Sequence, residues 1–395
     1  MRKIMVLGVI GAVSATLLVQ SSAQSSAPAT GTIKIGAITS VTGRFAEFGT
    51  QQLAGFKVGV AEINRKGGIN GQKIELLIED NASDVNKGLA AAERLANAGV
   101  PLVICEYSSS LVKAQAQYLA RQKVPALVVT SSGDDITKPG NDYIFRLNQP
   151  ATEYARALLN IFRDSKFKSM AMIAGTGAFE KSVADAALIF AKQYGIQVVE
   201  DQRYDQGLTD FRPVLNRIKG KNPDGVLMVS YAADSVTLMR QAREVGVKPK
   251  LFAGGAAGFA LPDFIKDAGA AAENVVSATA WIQELRYPGT QKLHVDLVKA
   301  LNGAEPSYHA AQAYAGVIAA ADAIRRAGST DREKVKAALN TTNIQTAFGP
   351  IVYKDFDGFK NQNNLTMVAE QVQGGKFVPV YPRSVVPKAI KFERP

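Results

Sequence analysis

The 395-residue chain has one cysteine, two histidines and one tryptophan. A lone Cys105 excludes an intrachain disulfide, so stability must come from apolar burial. Its setting, Val100-Pro101-Leu102-Val103-Ile104-Cys105, reads as a buried thiol. His294 and His309 have no partner at metal-ligand spacing and read as structural. No G-x-S-x-G elbow, phosphate-binding P-loop or H-E-x-x-H run occurs, so neither catalysis nor a metal or cofactor is expected. No basic stripe is interleaved with aromatics, which argues against nucleic acid. The formal charge of +11 is scattered and reads as a solvated surface, one that can bias the protein toward anionic solutes.

Long apolar runs are also missing. The longest, Ile4 to Val19, is interrupted by Gly8, Gly11 and Ser14 and falls short of the roughly 20 residues needed to cross a bilayer. Arg2 and Lys3 precede it, and Ser21 and Ala23 follow as a cleavage pair, so residues 1–23 read as a signal peptide. A lipoprotein would place a cysteine just after the run, where this chain has Ser21-Ser22-Ala23-Gln24-Ser25-Ser26. Export to the periplasm without stable membrane insertion is the expectation.

What is present is a rhythm. Thr32 to Ile38 alternates as a strand, and Leu53, Phe56, Val60 and Ile63 then recur at helical spacing until Gly67-Gly68. Strands at 72–80, 101–105 and 126–130 alternate with helices at 85–98 and 111–122. After Pro150 the pattern restarts, with strands near 168–174, 196–200, 225–230, 250–253 and 274–278. Beyond Trp281 come three helices without intervening strands, at 290–301, 308–327 and 331–339, then a β-rich tail. The apolar content of 47% is ordinary, and the length exceeds what one core usually fills. The fold class is therefore α/β, with two doubly wound parallel-sheet lobes whose strand C-termini meet at a crevice, where open sheets of this kind bind ligands.

Ser108-Ser109-Ser110 stands directly between a strand end and a helix start, a place suited to a carboxylate or other anion. An ordinary helix cap needs only one such residue. The next strand ends in Thr130-Ser131-Ser132-Gly133-Asp134-Asp135, again polar. The first loop of each half, 40–49 and 175–180, carries an aromatic, Phe48 and Phe179. They are expected to face each other across the crevice and sandwich an apolar ligand body. Trp281 reads either as hinge packing or as a ligand wall.

These features resemble the periplasmic leucine/isoleucine/valine-type binding proteins of the type I binding-protein fold. The resemblance covers nearly all of the chain beyond the leader. It is carried, in order, by the Thr42-Gly43 loop, Glu62-Ile63-Asn64 with Gly67-Gly68-Ile69-Asn70-Gly71, the strand-end serines, Met239-Arg240-Gln241-Ala242-Arg243 with Val245-Gly246, Glu305-Pro306-Ser307-Tyr308, and Phe348-Gly349-Pro350-Ile351. It implies a three-crossing hinge near Pro150, Thr279 and Asp355, giving one lobe of 32–150 plus 280–354 and another of 151–279 plus 355–395. It implies that Ser109 and Ser132, with the backbone near Thr130 and with Ser108, Ser110 and Ser131 alongside, hold a ligand carboxylate. Phe48, Phe179 and Tyr231 would form the wall.

One departure bears on the ligand. The family's α-amino-acid receptors present a carboxylate after the strand at 250–253, where this chain reads Gly254-Gly255-Ala256-Ala257-Gly258, with Gly255 at that position. Glu106, Asp134 and Glu180 are the candidate substitutes. The ligand is therefore an amino acid, an aromatic or branched organic acid, or an amide. The resemblance implies a monomeric receptor delivering this small molecule to an ABC transporter permease. A sensor feeding a signalling protein is the alternative.

Overall fold

A computed structural model of the protein describes Met1 and residues 31–255, 257–383 and 390–392; the rest of the expected signal peptide lies outside the described residues. The first sheet is built from β1 (Thr32–Thr39), β2 (Lys73–Asp80), β3 (Val103–Cys105), β4 (Ala126–Val128) and β5 (Ile144–Arg146). All five pair in parallel, in the order β5-β4-β3-β1-β2. The central strands β3 and β4 are buried at every residue, and they are unbroken apolar runs because helices cover both faces. Between them run α1 (Ala46–Arg65), α2 (Val85–Asn97) and α3 (Ser109–Arg121).

The chain then passes to α4 (Ala151–Asp164) and a second sheet of β6 (Ser169–Gly175), β7 (Gln197–Tyr204), β8 (Gly225–Val229), β9 (Leu251–Gly254) and β10 (Val276–Thr279). Their order, β10-β9-β8-β6-β7, repeats that of the first sheet. The intervening helices are α5 (Ala178–Gln193), α6 (Arg212–Lys221), α7 (Ala232–Glu244) and α8 (Pro262–Ala268). Three helices without strands follow, α9 (Thr290–Ala300), α10 (Tyr308–Ala327) and α11 (Arg332–Asn340), and α10 packs along α1 on the first lobe.

The tail departs from expectation. A small β11 (Asn343–Gln345)–β12 (Pro350–Val352) pair precedes β13 (Lys354–Phe356) and β14 (Phe359–Gln362). β14 pairs in parallel with β5, so both β13 and β14 belong to the first sheet. Only β15 (Val368–Val372) and β16 (Phe377–Tyr381) extend the second sheet, antiparallel beyond β10. The crossing expected near Asp355 therefore lies between Gln362 and Val368, and Asp355 sits inside β13. The reason is local: Asp357-Gly358, both at positive φ, make a tight hairpin that turns the chain back along the first sheet instead of releasing it.

Each sheet has the order 2-1-3-4-5, with a switch point where strand order reverses, between β1 and β3 in one lobe and between β6 and β8 in the other. Loops leaving adjacent strands there turn to opposite faces and open a crevice. The loops after β1, β3, β6 and β8 thereby frame a crevice that a solute can enter, and the loop after β4 lies beside it.

Candidate functional site

From the first lobe, Phe45, at the N-cap position of α1, and Tyr107, just before α3, reach this place. From the second come Phe179, in the first turn of α5, and Tyr231, at the N-cap position of α7. Their rings meet across the lobes. Phe45 lies edge-on to Tyr231 at 5.1 Å, Tyr107 edge-on to Tyr231 at 5.6 Å, and Phe179 is 6.3 Å from Tyr231. A small pocket is lined by Tyr107, Thr130, Ser132, Phe179, Tyr231 and Tyr308, the last being the first residue of α10. Its free volume is only ≈ 10 Å³, about one water, so the lobes are closed on one another and a solute must part them.

The hydroxyls of this pocket are oriented from behind. Thr130 Oγ1 accepts from Gln52 Nε2 at 2.7 Å, and Gln52 in turn accepts from Thr39 at 2.5 Å. Ser132 Oγ accepts from Asn148 Nδ2 at 2.6 Å. A hydroxyl carries one proton, and at Thr130 the amide behind it supplies a donor, so the proton remains for an acceptor in front. Ser132 hydrogen-bonds the Tyr154 hydroxyl within the protein, an acceptor that a solute would replace. Ser108 caps α3 without a side-chain cap bond, so its hydroxyl does not occupy the first-turn N–H groups, which point out of the helix N-terminus with the positive end of its dipole. The array presents donors, which suits an anion.

The other expected residues sort by partner. Ser109 Oγ accepts from Gly133 N at 2.9 Å and holds the two serine loops together. Ser131 donates to the Tyr107 carbonyl at 2.6 Å, which spends its proton inside the protein. Ser110 is exposed on α3, outside the pocket. Phe48 lies one layer back, stacked on Tyr107 at 3.6 Å and 11° and edge-on to His309. Phe45 takes the front position that the sequence suggested for Phe48, because α1 begins at Ala46 and its third residue already faces the core. Gly255 offers no place for a side chain. Its N–H bonds the Met228 carbonyl at 2.7 Å, and a Cβ there would lie 2.8 Å from Val229 Cγ2.

Sequence reasoning missed Tyr107, Tyr308, Phe45 and the amides Gln52 and Asn148. Tyr107 had a signal, since it lies between a strand end and the serine cluster. Trp281 is buried, donates to the Ala347 carbonyl at 3.0 Å, and also lines a larger cavity of ≈ 590 Å³ beside the hinge, which Tyr308 separates from the closed pocket.

Three carboxylates were candidates for a cationic head group. Asp134 is engaged with Thr152, at the start of α4. Glu106 is buried away from the pocket, taking hydrogen bonds from Ser40 at 2.8 Å and from Asn81. Desolvation pushes it up to about 7 from its ordinary 4.5, against those hydrogen bonds. Its folded pKa is thus above its unfolded one. The native state binds the extra proton between the two values, and stability falls as pH rises through that window, by about 3 kcal/mol at the upper end. Glu106→Gln is accordingly expected to flatten the drop in melting temperature between pH 5 and pH 8; an unchanged drop would refute the assignment. Glu180 is buried behind Phe179 and Tyr231, with Oε1 accepting from Gln206 at 2.6 Å. His309 is held neutral, pushed down to about 3 by burial, and pairs with Ser307 Oγ at 3.1 Å. Among the described residues no cluster could hold a metal, and no helix is long and apolar enough to cross a membrane.

The family described as "Periplasmic binding protein" matches residues 32–376. A Leu/Ile/Val-binding protein homolog 7 of Brucella melitensis is 30% identical, over 90% of this chain and 93% of its own length. The branched-chain amino acid transporter substrate-binding protein LivJ of Streptococcus pneumoniae, solved with isoleucine, superposes with a TM-score of 0.81 at 24% identity, over 89% of this chain and all of LivJ. A solute-binding protein of an ABC transporter from Rhodopseudomonas palustris, solved with 3,4-dihydroxybenzoic acid, does so at 0.77 and 21% identity, over 88% of this chain and 96% of that one. With a cleft of oriented hydroxyls and aromatic rings between two switch points, the chain belongs to the periplasmic binding proteins, a family of substrate receptors and not of enzymes.

Proposed function

We propose that this protein is the periplasmic receptor of an ABC importer, closing on a small solute that joins a carboxylate to an apolar or aromatic body. The observation that carries the reading is the pair Thr130 and Ser132. Each accepts an amide N–H from behind and lines an aromatic pocket, Thr130 with its proton unspent and Ser132 with a proton that it can turn from the Tyr154 hydroxyl to a solute. Such donors grip an oxyanion, and the rings of Tyr107, Phe179 and Tyr231 cover what is attached to it. LivJ with isoleucine and the Rhodopseudomonas receptor with a dihydroxybenzoate have the same fold and represent the two ligand classes that suit this pocket.

Solute binds first to the hydroxyls of the lobe that holds 32–146 and 280–362. The lobe of 151–279 and 368–383 then closes over it by rotation about the three connecting segments, and closure follows from its added contacts. The leader at 1–23 delivers the chain to the periplasm, and the closed monomer is the form a permease engages.

Thermal shift against L-leucine, L-phenylalanine, benzoate, 3,4-dihydroxybenzoate, short-chain acids and amides tests the reading, since a ligand of the native state raises apparent stability. A carboxylate of this set is expected to stabilise the protein. Ser132→Ala and Thr130→Val should each weaken it about 10- to 100-fold, the worth of one hydrogen bond to a charged group. No shift with any member would refute the proposal.

A further inference from the structure

Three carboxylates meet where the two lobes touch, with no cation between them. Glu47 lies in the first turn of α1, on the first lobe, while Asp263 and Asp267 lie one turn apart on α8, on the second. The Glu47 and Asp263 carboxyl groups are within hydrogen-bonding reach of each other, and the charge of Asp267 also bears on Glu47. Glu47 Oε1 is buried and receives no hydrogen bond from an N–H or O–H group, whereas Asp263 is exposed. Among the described residues none of the three forms an ion pair. Ionised carboxylates only accept, so this contact needs one proton held between the two groups.

The surroundings supply no charge in place of that proton. Lys266, on α8, lines the larger cavity beside the hinge and forms no ion pair. Arg44 lies over the Phe45 ring at 4.6 Å and acts on Glu180, Tyr231 and Asp234. Ahead of α10, Glu305 faces His294 at 3.6 Å and His309 is neutral, while Tyr107 is opposed by the charge of Glu47 itself. The dipole of α1 favours an ionised Glu47, yet burial first and Asp263 next push it up from 4.5 to about 7. Glu106 and Glu180 are raised too, but Ser40 and Asn81 for the one and Gln206 for the other belong to the same lobe, so opening does not separate those pairs. Glu370 is opposed by Glu284 and Glu305 without a hydrogen bond to either, so its share of any pH dependence survives substitution of Glu47.

We propose that Glu47 and Asp263 form a proton-operated latch between the lobes: the pair shares a proton when the lobes close and releases it when they part, so the protein holds its solute more tightly in acid than at neutral pH. Opening carries Glu47 away from α8 into water and returns it to the ordinary carboxylate range. Its pKa is thus higher in the closed form than in the open one. Closure binds a proton between those two values, and its advantage is lost as pH rises through about 7. With both groups ionised, their repulsion favours the open form and release. The inference uses the lobe closure of the receptor reading and not the identity of the solute.

The test is calorimetric titration at pH 6 and pH 8 with L-leucine, L-phenylalanine, benzoate and 3,4-dihydroxybenzoate, on wild type, Glu47→Gln and Asp263→Asn. Wild type is expected to bind the tightest of the four about tenfold more strongly at pH 6 than at pH 8. Glu47→Gln, which keeps the shape and removes the charge, should cut that ratio at least fivefold by binding more tightly at pH 8. Asp263→Asn should cut it likewise from the other lobe, and melts at pH 6 show whether both variants are folded. A wild-type affinity that does not change with pH, or a ratio preserved in both variants, would overturn the latch and leave the receptor reading in place. If none of the four binds, the receptor reading falls, and X-ray scattering from the solute-free protein decides the latch. Wild type should then have a smaller radius of gyration at pH 6 than at pH 8 and Glu47→Gln the smaller radius at both; equal wild-type radii would overturn it.

Discussion

A Gly55→Leu variant is expected to lose about 3 kcal/mol of stability or more, a fall in melting temperature of about 4 °C or more for a chain this size. α1 and α10 meet backbone to backbone. A Cβ on Gly55 would lie 2.1 Å from the Ala310 carbonyl oxygen and 2.8 Å from Ala313 Cβ, and one turn on, a Cβ on Gly59 would lie 2.8 Å from Val317 Cβ. Glycine in a helix ordinarily costs about 1 kcal/mol relative to alanine, so larger residues should gain on propensity alone. Here that gain is outweighed, because the obstacle is main chain and cannot rotate aside. Gly220 provides the control: it lies in α6 with nothing within 4 Å of its Cβ position, and Gly220→Ala should be neutral or slightly stabilising. Binding should weaken alongside stability in the Gly55 variant. α1 carries Gln52, which orients Thr130, and Gln51, which takes the Ser307 N–H at 2.9 Å beside Tyr308. Thermal melts of the two variants decide the point, and an undisturbed Gly55→Leu protein would show that the helices separate without cost.

The strand and helix rhythm was legible because each parallel strand is a short apolar run and each helix repeats at three and four residues, signals that need no knowledge of partners. The polar loops after β3 and β4 were legible for the same reason, as clusters of hydroxyls where apolar patterning stops. What was not legible depends on distance along the chain. Tyr308 enters the pocket only because α10 returns to α1, some 250 positions later. The amides Gln52, Asn148 and Gln312 sit in or beside regular elements and look like ordinary polar residues until their partners are known. The exchange of Phe48 for Phe45 turned on where α1 starts, a boundary that no side-chain cap marks. The third crossing was misplaced for a different reason. Asp357-Gly358 is a hairpin signal in plain sight, but strands of three and four residues on either side of it give too little alternation to be recognised as β13 and β14.

Asn148→Leu is the second large effect expected, because this nearly isosteric change strips a hub without leaving much of a hole. Asn148 is fully buried. Its Nδ2 donates to the Thr130 carbonyl at 2.5 Å and to Ser132 Oγ at 2.6 Å, while its Oδ1 accepts from Gln149 N at 2.8 Å, Tyr154 Oη at 3.0 Å and Gln312 Nε2 at 2.6 Å. Leucine leaves five buried groups short of a partner. Each is worth about 1–3 kcal/mol when stranded, and allowing for partial rearrangement the net loss should reach about 4 kcal/mol. Asn148→Asp separates support from function. It keeps the three bonds accepted by Oδ1 but cannot donate, so Ser132 must turn its proton toward the new carboxylate and away from the solute. That variant should be less destabilised than Asn148→Leu yet bind a carboxylate at least tenfold more weakly than wild type. Melting curves and calorimetric titration of both variants, with whichever carboxylate stabilises the wild type, separate the two effects. An aspartate variant with wild-type affinity would mean that the proton of Ser132 does not face the solute, and the donor array would have to be reassigned to Thr130 and the first turn of α3.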